Sequence, residues 1–198
     1  MKPSVIAAAV IYLLITAASY YNCVREDILP GKLRKAAYIA ASAVCPVIFL
    51  FVNRGAPEYD IIFLSAGLGL LIRISAGDIK SGVIDILPTA ALYLAGVLSL
   101  IRVDAGFIMT RLLAALIFFA VMSVGRKVSR NGIGHGDVIL MPAVGLMLGT
   151  DAGLRAAVLG LAVMAAAGLT MTFRKKIGFR DELPLAPFIL IGYVFCSV

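Results

Sequence analysis

Tryptophan is absent from the 198 residues, histidine occurs once and cysteine three times. Cys23, Cys45 and Cys196 form no C-x-x-C pair, and His135 is distant from all three in sequence. A zinc site draws about four ligands from short paired spacings, so no metal is expected. Charge is scarce as well: 15% of residues are charged and 62% are hydrophobic. Soluble domains carry roughly 25% charged and about 45–50% apolar residues. A chain this apolar cannot hide its surface in a water-soluble fold, and a mean hydropathy of +1.03 agrees. Acidic residues are outnumbered 11 to 18 by basic ones. The basic residues fall in short loops between apolar runs, the pattern of a membrane topology signal rather than of a nucleic-acid surface. No polar or Gly/Ser-rich linker divides the chain, so a single membrane-embedded domain over 1–198 is expected.

A transmembrane helix needs roughly 20 apolar residues. The runs 4–22, 36–53, 59–76, 86–101, 105–124, 138–150, 152–173 and 184–198 predict an all-α, polytopic transmembrane helix bundle of about eight spans. The first run reads as a retained span rather than a cleaved signal, because it continues past Ala17-Ala18-Ser19 into Tyr20-Tyr21. With eight spans, one set of alternate loops (23–35, 77–86, 125–135 and 173–183) carries twelve Lys and Arg, and the other set has Lys2, Arg54 and Arg102. Positive loops stay cytoplasmic, so the first set is expected there, with both termini outside and the protein in the cell membrane.

Two acids stand out. Asp78 is expected at the end of the third span and Asp137 at the start of the sixth, both at the cytoplasmic edge. Either alone reads as a helix end or cap. As a pair they have a chemistry: two close carboxylates share a proton, one acting as base on water and the other donating to a carbonyl oxygen. Gly132, Gly134 and Gly136 precede Asp137, and glycine admits close backbone approach.

The G-x-G-D pattern of Gly134-His135-Gly136-Asp137 resembles that of the prepilin leader peptidases. The longer segment GIGHGDVILMPAVGLMLG (132–149) keeps that family's spacing. GDIKSGVIDILP (77–88) resembles its first catalytic segment, and Asp137 follows Asp78 at an interval of 59 positions. Glu182 to Gly192, with Pro184 and Pro187, resembles its Pro-x-x-Pro span. SYYNCVREDILPGKL (19–33) resembles the segment after the first span of bifunctional members. Asp85 stands where the family usually has Pro, and Ile139 where it often has Lys.

The resemblance implies an intramembrane aspartic endopeptidase that cleaves the leader from type IV prepilins or pseudopilins at the cytoplasmic face. Asp78 and Asp137 are then catalytic, and Gly132, Gly134, His135 and Gly136 support them. Lys80, Asp85, Pro184 and Pro187 are candidates for the substrate side. Carboxylates and water suffice, so no cofactor is implied. The partners implied are prepilin-like substrates and the lipid bilayer. The cysteine-rich loop tied to N-methylation in bifunctional members is missing, so no methyltransferase activity is expected. The rival classes are a non-catalytic membrane scaffold and a proton-coupled transporter using intramembrane carboxylates. Against transport, the two acids sit at one face and no charged residue lies mid-span to relay across, apart from Arg111 or Arg155.

Overall fold

The computed structural model describes residues 3–26, 28–29, 31–53, 58–102, 104–129, 132–173 and 183–196. Arg54, Arg130 and the basic segment 174–182, with Lys175-Lys176 and Glu182, lie outside the described residues.

The chain is a helical membrane bundle. Its helices are α1 (Pro3–Arg25), α2 (Lys32–Val52), α3 (Glu58–Ser81), α4 (Ile86–Ser99), α5 (Ala105–Val128), α6 (His135–Phe173) and α7 (Ala186–Cys196). A 3-10 turn, Leu100–Arg102, follows α4. Among the described residues, five helices are long and apolar enough to cross a membrane: Val5–Arg25, Lys32–Val52, Asp60–Ser81, Ala105–Val128 and His135–Phe173. α4 and α7 are apolar but only 14 and 11 residues long, below the ~17–25 of an ordinary span. By length alone the helices therefore support five spans, not the expected eight.

α3 is the central helix. Its most apolar window is 72% buried, against 11–22% in the other four long helices. Those four leave residues such as Leu13, Leu14, Val47, Phe107 and Leu116 exposed. An apolar outer surface of this kind needs lipid rather than water around it. α3 also runs further than the apolar pattern predicts. Gly77 to Ser81, read as a polar break, continue the helix. It stops at Gly82, whose φ of +64° is the left-handed turn that ends many helices. The Gly82 N–H closes that turn on the Asp78 carbonyl at 2.8 Å. α5 likewise extends to Val128, through residues read as loop.

A straight helix of 39 residues would be about 58 Å long at ~1.5 Å per residue, nearly twice the ~30 Å hydrocarbon core. α6 is not straight. Gly149 has φ 78° and ψ −172°, which breaks the helix close to the division read at Thr150-Asp151. A Cβ placed on Gly153 would lie 3.7 Å from the Gly145 Cα. Eight residues along one helix would separate them by about 12 Å. Residues 135–148 and 150–173 therefore fold back along each other.

α7 threads into the core. Tyr193 is fully buried, donates its hydroxyl to the Leu64 carbonyl at 2.9 Å and stacks on Phe49 of α2 at 6.2 Å. At the end of the bundle opposite Asp78, Arg111 of α5 donates to Asp60 at 2.8 Å and to Ser99 Oγ at 2.6 Å. That buried ion pair fastens α5 to α3 and α4.

Candidate active site

Asp78 lies within the last turns of α3 and is 5% exposed. A carboxylate there needs hydrogen-bond donors. The donor comes from the far end of the chain: the Ala186 N–H donates to Asp78 Oδ2 at 2.9 Å, and the Leu185 N–H interacts with the same carboxylate. Ala186 is the first residue of α7, so its N–H has no partner within its own helix. Asp78 thus caps α7 from α3. Pro187 occupies the second position of α7, where a missing N–H costs nothing, and Pro184 precedes the cap half-buried. The structure brings Asp78 and the Pro184–Pro187 segment together.

Asp137 is half-buried in the first turn of α6. Two neighbouring glycines have separate steric reasons. A Cβ on Gly134 would stand 3.0 Å from Asp137 Oδ2, so this carboxylate folds back over position 134. A Cβ on Gly136 would stand 2.6 Å from the Ile84 Cβ and 3.1 Å from its Cγ1. Glycine at 136 lets the start of α6 sit directly on the α3–α4 connection. Tyr93 of α4 reinforces the seat by donating its hydroxyl to the Ile139 carbonyl at 2.8 Å. Ile84 lies six residues beyond Asp78, so the seat places Asp137 and Asp78 at one end of the bundle. Gly132 and His135 are exposed beside it, His135 as the first residue of α6.

Lys80 and Asp85 lie on another side of α3, in a charged cluster that the sequence reading missed. Arg73, 7% exposed inside α3, donates to Glu26 Oε2 at 2.7 Å. Its Nη1 is 3.1 Å from Asp85 Oδ2. That second contact lacks hydrogen-bond alignment and is held by charge alone. Lys80 donates to the Glu26 carbonyl at 3.3 Å. Asp85 is thus an ion-pair partner as well as the residue before α4. The cluster borders a cleft of about 560 Å³ reaching Asn22 of α1 and Pro88 of α4. An arginine within the apolar run GLGLLIRISAG was the available signal. It adds Arg73, buried inside α3, to Arg111 and Arg155 as charges lying mid-span.

Two curated relatives match part of the chain, the "Prepilin leader peptidase/N-methyltransferase" of Burkholderia pseudomallei strains 1026b and K96243. Each is 37% identical over 62 residues, which is 31% of this chain and 20% of the relative. The chain matches only about a fifth of the length of those relatives. No family model matches, and no solved structure matches.

Proposed function

We propose that the chain is an intramembrane aspartic endopeptidase of the prepilin leader peptidase type, with Asp78 and Asp137 as its two carboxyl groups. The observation that carries this reading is the seating of Gly136 on Ile84, which sets the two acids at one end of the bundle. The 62-residue similarity to proteins named as prepilin leader peptidases supports the same reading. In the proposed reaction one carboxylate takes a proton from water as its oxygen attacks the scissile carbonyl. The other carboxyl group donates to the carbonyl oxygen. The tetrahedral intermediate then collapses, the C–N bond breaks and the amide nitrogen leaves with a proton. One water is consumed, giving a new carboxyl and a new amine. Incubating the purified protein with a prepilin and following leader loss by gel shift tests it. A transport relay is less favoured, because Arg111 and Arg73 are tied up in ion pairs.

The proposed topology has eight membrane-embedded segments: α6 counts as two across Gly149, and α4 and α7 are short members. The end holding Asp78 and Asp137 faces the cytoplasm, since Arg25, Lys80, Arg126 and Lys127 follow or close helices there. A single cysteine at Lys127, in a background without Cys23, Cys45 and Cys196, is expected to resist an impermeant thiol reagent in intact cells. It should label after lysis. Labelling in intact cells would reverse the orientation.

Peptidase activity without methylation is the proposed scope. Only residues 26–31 connect α1 to α2, with no cysteine-rich insert. Mass spectrometry of the processed product, with S-adenosylmethionine supplied, is expected to show no added methyl group. A stoichiometric gain of one methyl would overturn this.

A further inference from the structure

Asp85 occupies the N-cap position of α4, yet its carboxylate makes no capping hydrogen bond to that helix. An aspartate at an N-cap ordinarily accepts an N–H from the first turn. Here the carboxylate turns the other way, to the Nη1 of the buried Arg73 at 3.1 Å. The contact lies across Gly77, where a Cβ would stand 3.4 Å from Arg73 Nη1 and 3.5 Å from Asp85 Oδ2. Gly77 immediately precedes Asp78, and Asp85 immediately follows Ile84. The ion pair therefore joins the part of α3 that carries Asp78 to the neighbour of the residue on which Gly136 sits. Other polar ties of the connection are short in range. Among the described residues, the N–H groups of Gly82 and Val83 reach only the last turn of α3, at the Asp78 carbonyl (2.8 Å) and Ser81 Oγ (3.3 Å). Asp85 supplies the tie that reaches further back along α3. Arg73 is itself steadied from the other side, since its Nη2 donates to Glu26 Oε2 at 2.7 Å.

We propose that Arg73 and Asp85 are positioning residues for the two-carboxyl site. Their ion pair holds the α3–α4 connection in one place on α3. Through Ile84 and Gly136, it sets where Asp137 stands relative to Asp78. The inference rests on the peptidase reading. Neither side chain takes part in the proton transfers. The backbone shows what could replace the pair. Asp85 has φ −66° and ψ 132°, and proline locks φ near −65°. Among the described residues the Asp85 N–H has no backbone acceptor, so the N–H that proline lacks is not missed. A proline at 85 would hold the same turn through its ring, without Arg73.

The test is steady-state cleavage of one prepilin by the full-length protein, with kcat and KM measured separately and membrane levels matched. Asp85→Asn is expected to lower kcat about 10-fold, part of the ~10²-fold that a 1 Å misplacement can cost, and to leave KM within about 2-fold. Asparagine caps a helix as well as aspartate does, so α4 keeps its start. Asp85→Pro should recover most of the lost kcat. Both variants leave Arg73 Nη1 without its carboxylate, so a role confined to neutralising that buried charge predicts the same loss in both. Arg73→Gln should lower kcat as Asp85→Asn does, but by about 2-fold or less in the Asp85→Pro background, because partners in one interaction are not additive. Three results would each overturn the positioning role and leave the peptidase reading standing: an unchanged kcat in Asp85→Asn, equal losses in Asp85→Asn and Asp85→Pro, or an Arg73→Gln loss undiminished by the proline. No cleavage by wild type would overturn the peptidase reading, and the positioning role with it.

Discussion

Asp78→Asn and Asp137→Asn are each expected to lower prepilin cleavage by about 10³-fold or more, with the protein still inserted in the membrane. Asparagine matches aspartate in shape but cannot take a proton from water. The double variant should be little worse than either single one, because groups that act on one water as a unit are not additive. The structure raises a competing cause for Asp78, which also caps α7 through Ala186. Asparagine separates the two roles, since its side-chain oxygen can still accept the Ala186 N–H. Asp78→Asn should therefore keep the bundle's stability in detergent. Asp78→Ala should lose activity and also about 1 kcal/mol or more from the lost cap. Asp151, exposed on the distal part of α6, is the control, and Asp151→Asn should cleave normally. The assay is leader removal by gel shift, normalised to membrane level. Full activity in either single Asn variant would sink the two-carboxyl mechanism.

The sequence made the helical membrane class legible, because apolar runs of span length leave few alternatives for a chain with 15% charge. It also marked the break in the sixth helix within a residue or two, since Gly149 is followed by the polar pair Thr150-Asp151. It misplaced the end of α3. Hydropathy falls at Gly77, but the backbone stays helical to the left-handed Gly82. What stops a helix is local backbone geometry, not polarity. The same gap hid Arg73. A single arginine within an apolar run does not reveal that carboxylates from the α1–α2 and α3–α4 connections will converge on it. Asp85 could be assigned to a loop but not to a partner, because its partner lies one helix away. At the candidate site the residue types were readable and the reasons for them were not. The glycines before Asp137 read only as a permissive turn. Gly136 proves to be a seat for Ile84 and Gly134 a space for the Asp137 carboxylate. Both reasons are contacts that arise only after folding.

That seat yields the other large effect. Gly136→Ala places a Cβ 2.6 Å from the Ile84 Cβ, closer than two such carbons can approach. Ile84 is itself buried, so it cannot swing into solvent, and the start of α6 must lift off the α3–α4 connection. A displacement of about 1 Å at a catalytic group can cost about 10²-fold in rate. Gly136→Ala is therefore expected to lose cleavage by about that factor while the core around Tyr193, which bonds to Leu64 in the first half of α3, stays packed. The geometry also specifies the rescue. The nearest obstructing atom is the Ile84 Cβ, and an alanine at 84 would keep it. Ile84→Ala in the Gly136→Ala background should restore little, whereas Ile84→Gly should restore a substantial part. Gly134→Ala should be milder, because the atom it meets at 3.0 Å is the end of the Asp137 side chain, which can rotate. Initial cleavage rates for these variants, with membrane levels matched, decide the point. Failure of both Ile84→Ala and Ile84→Gly to rescue would show that Gly136 acts through backbone flexibility rather than through its contact with Ile84.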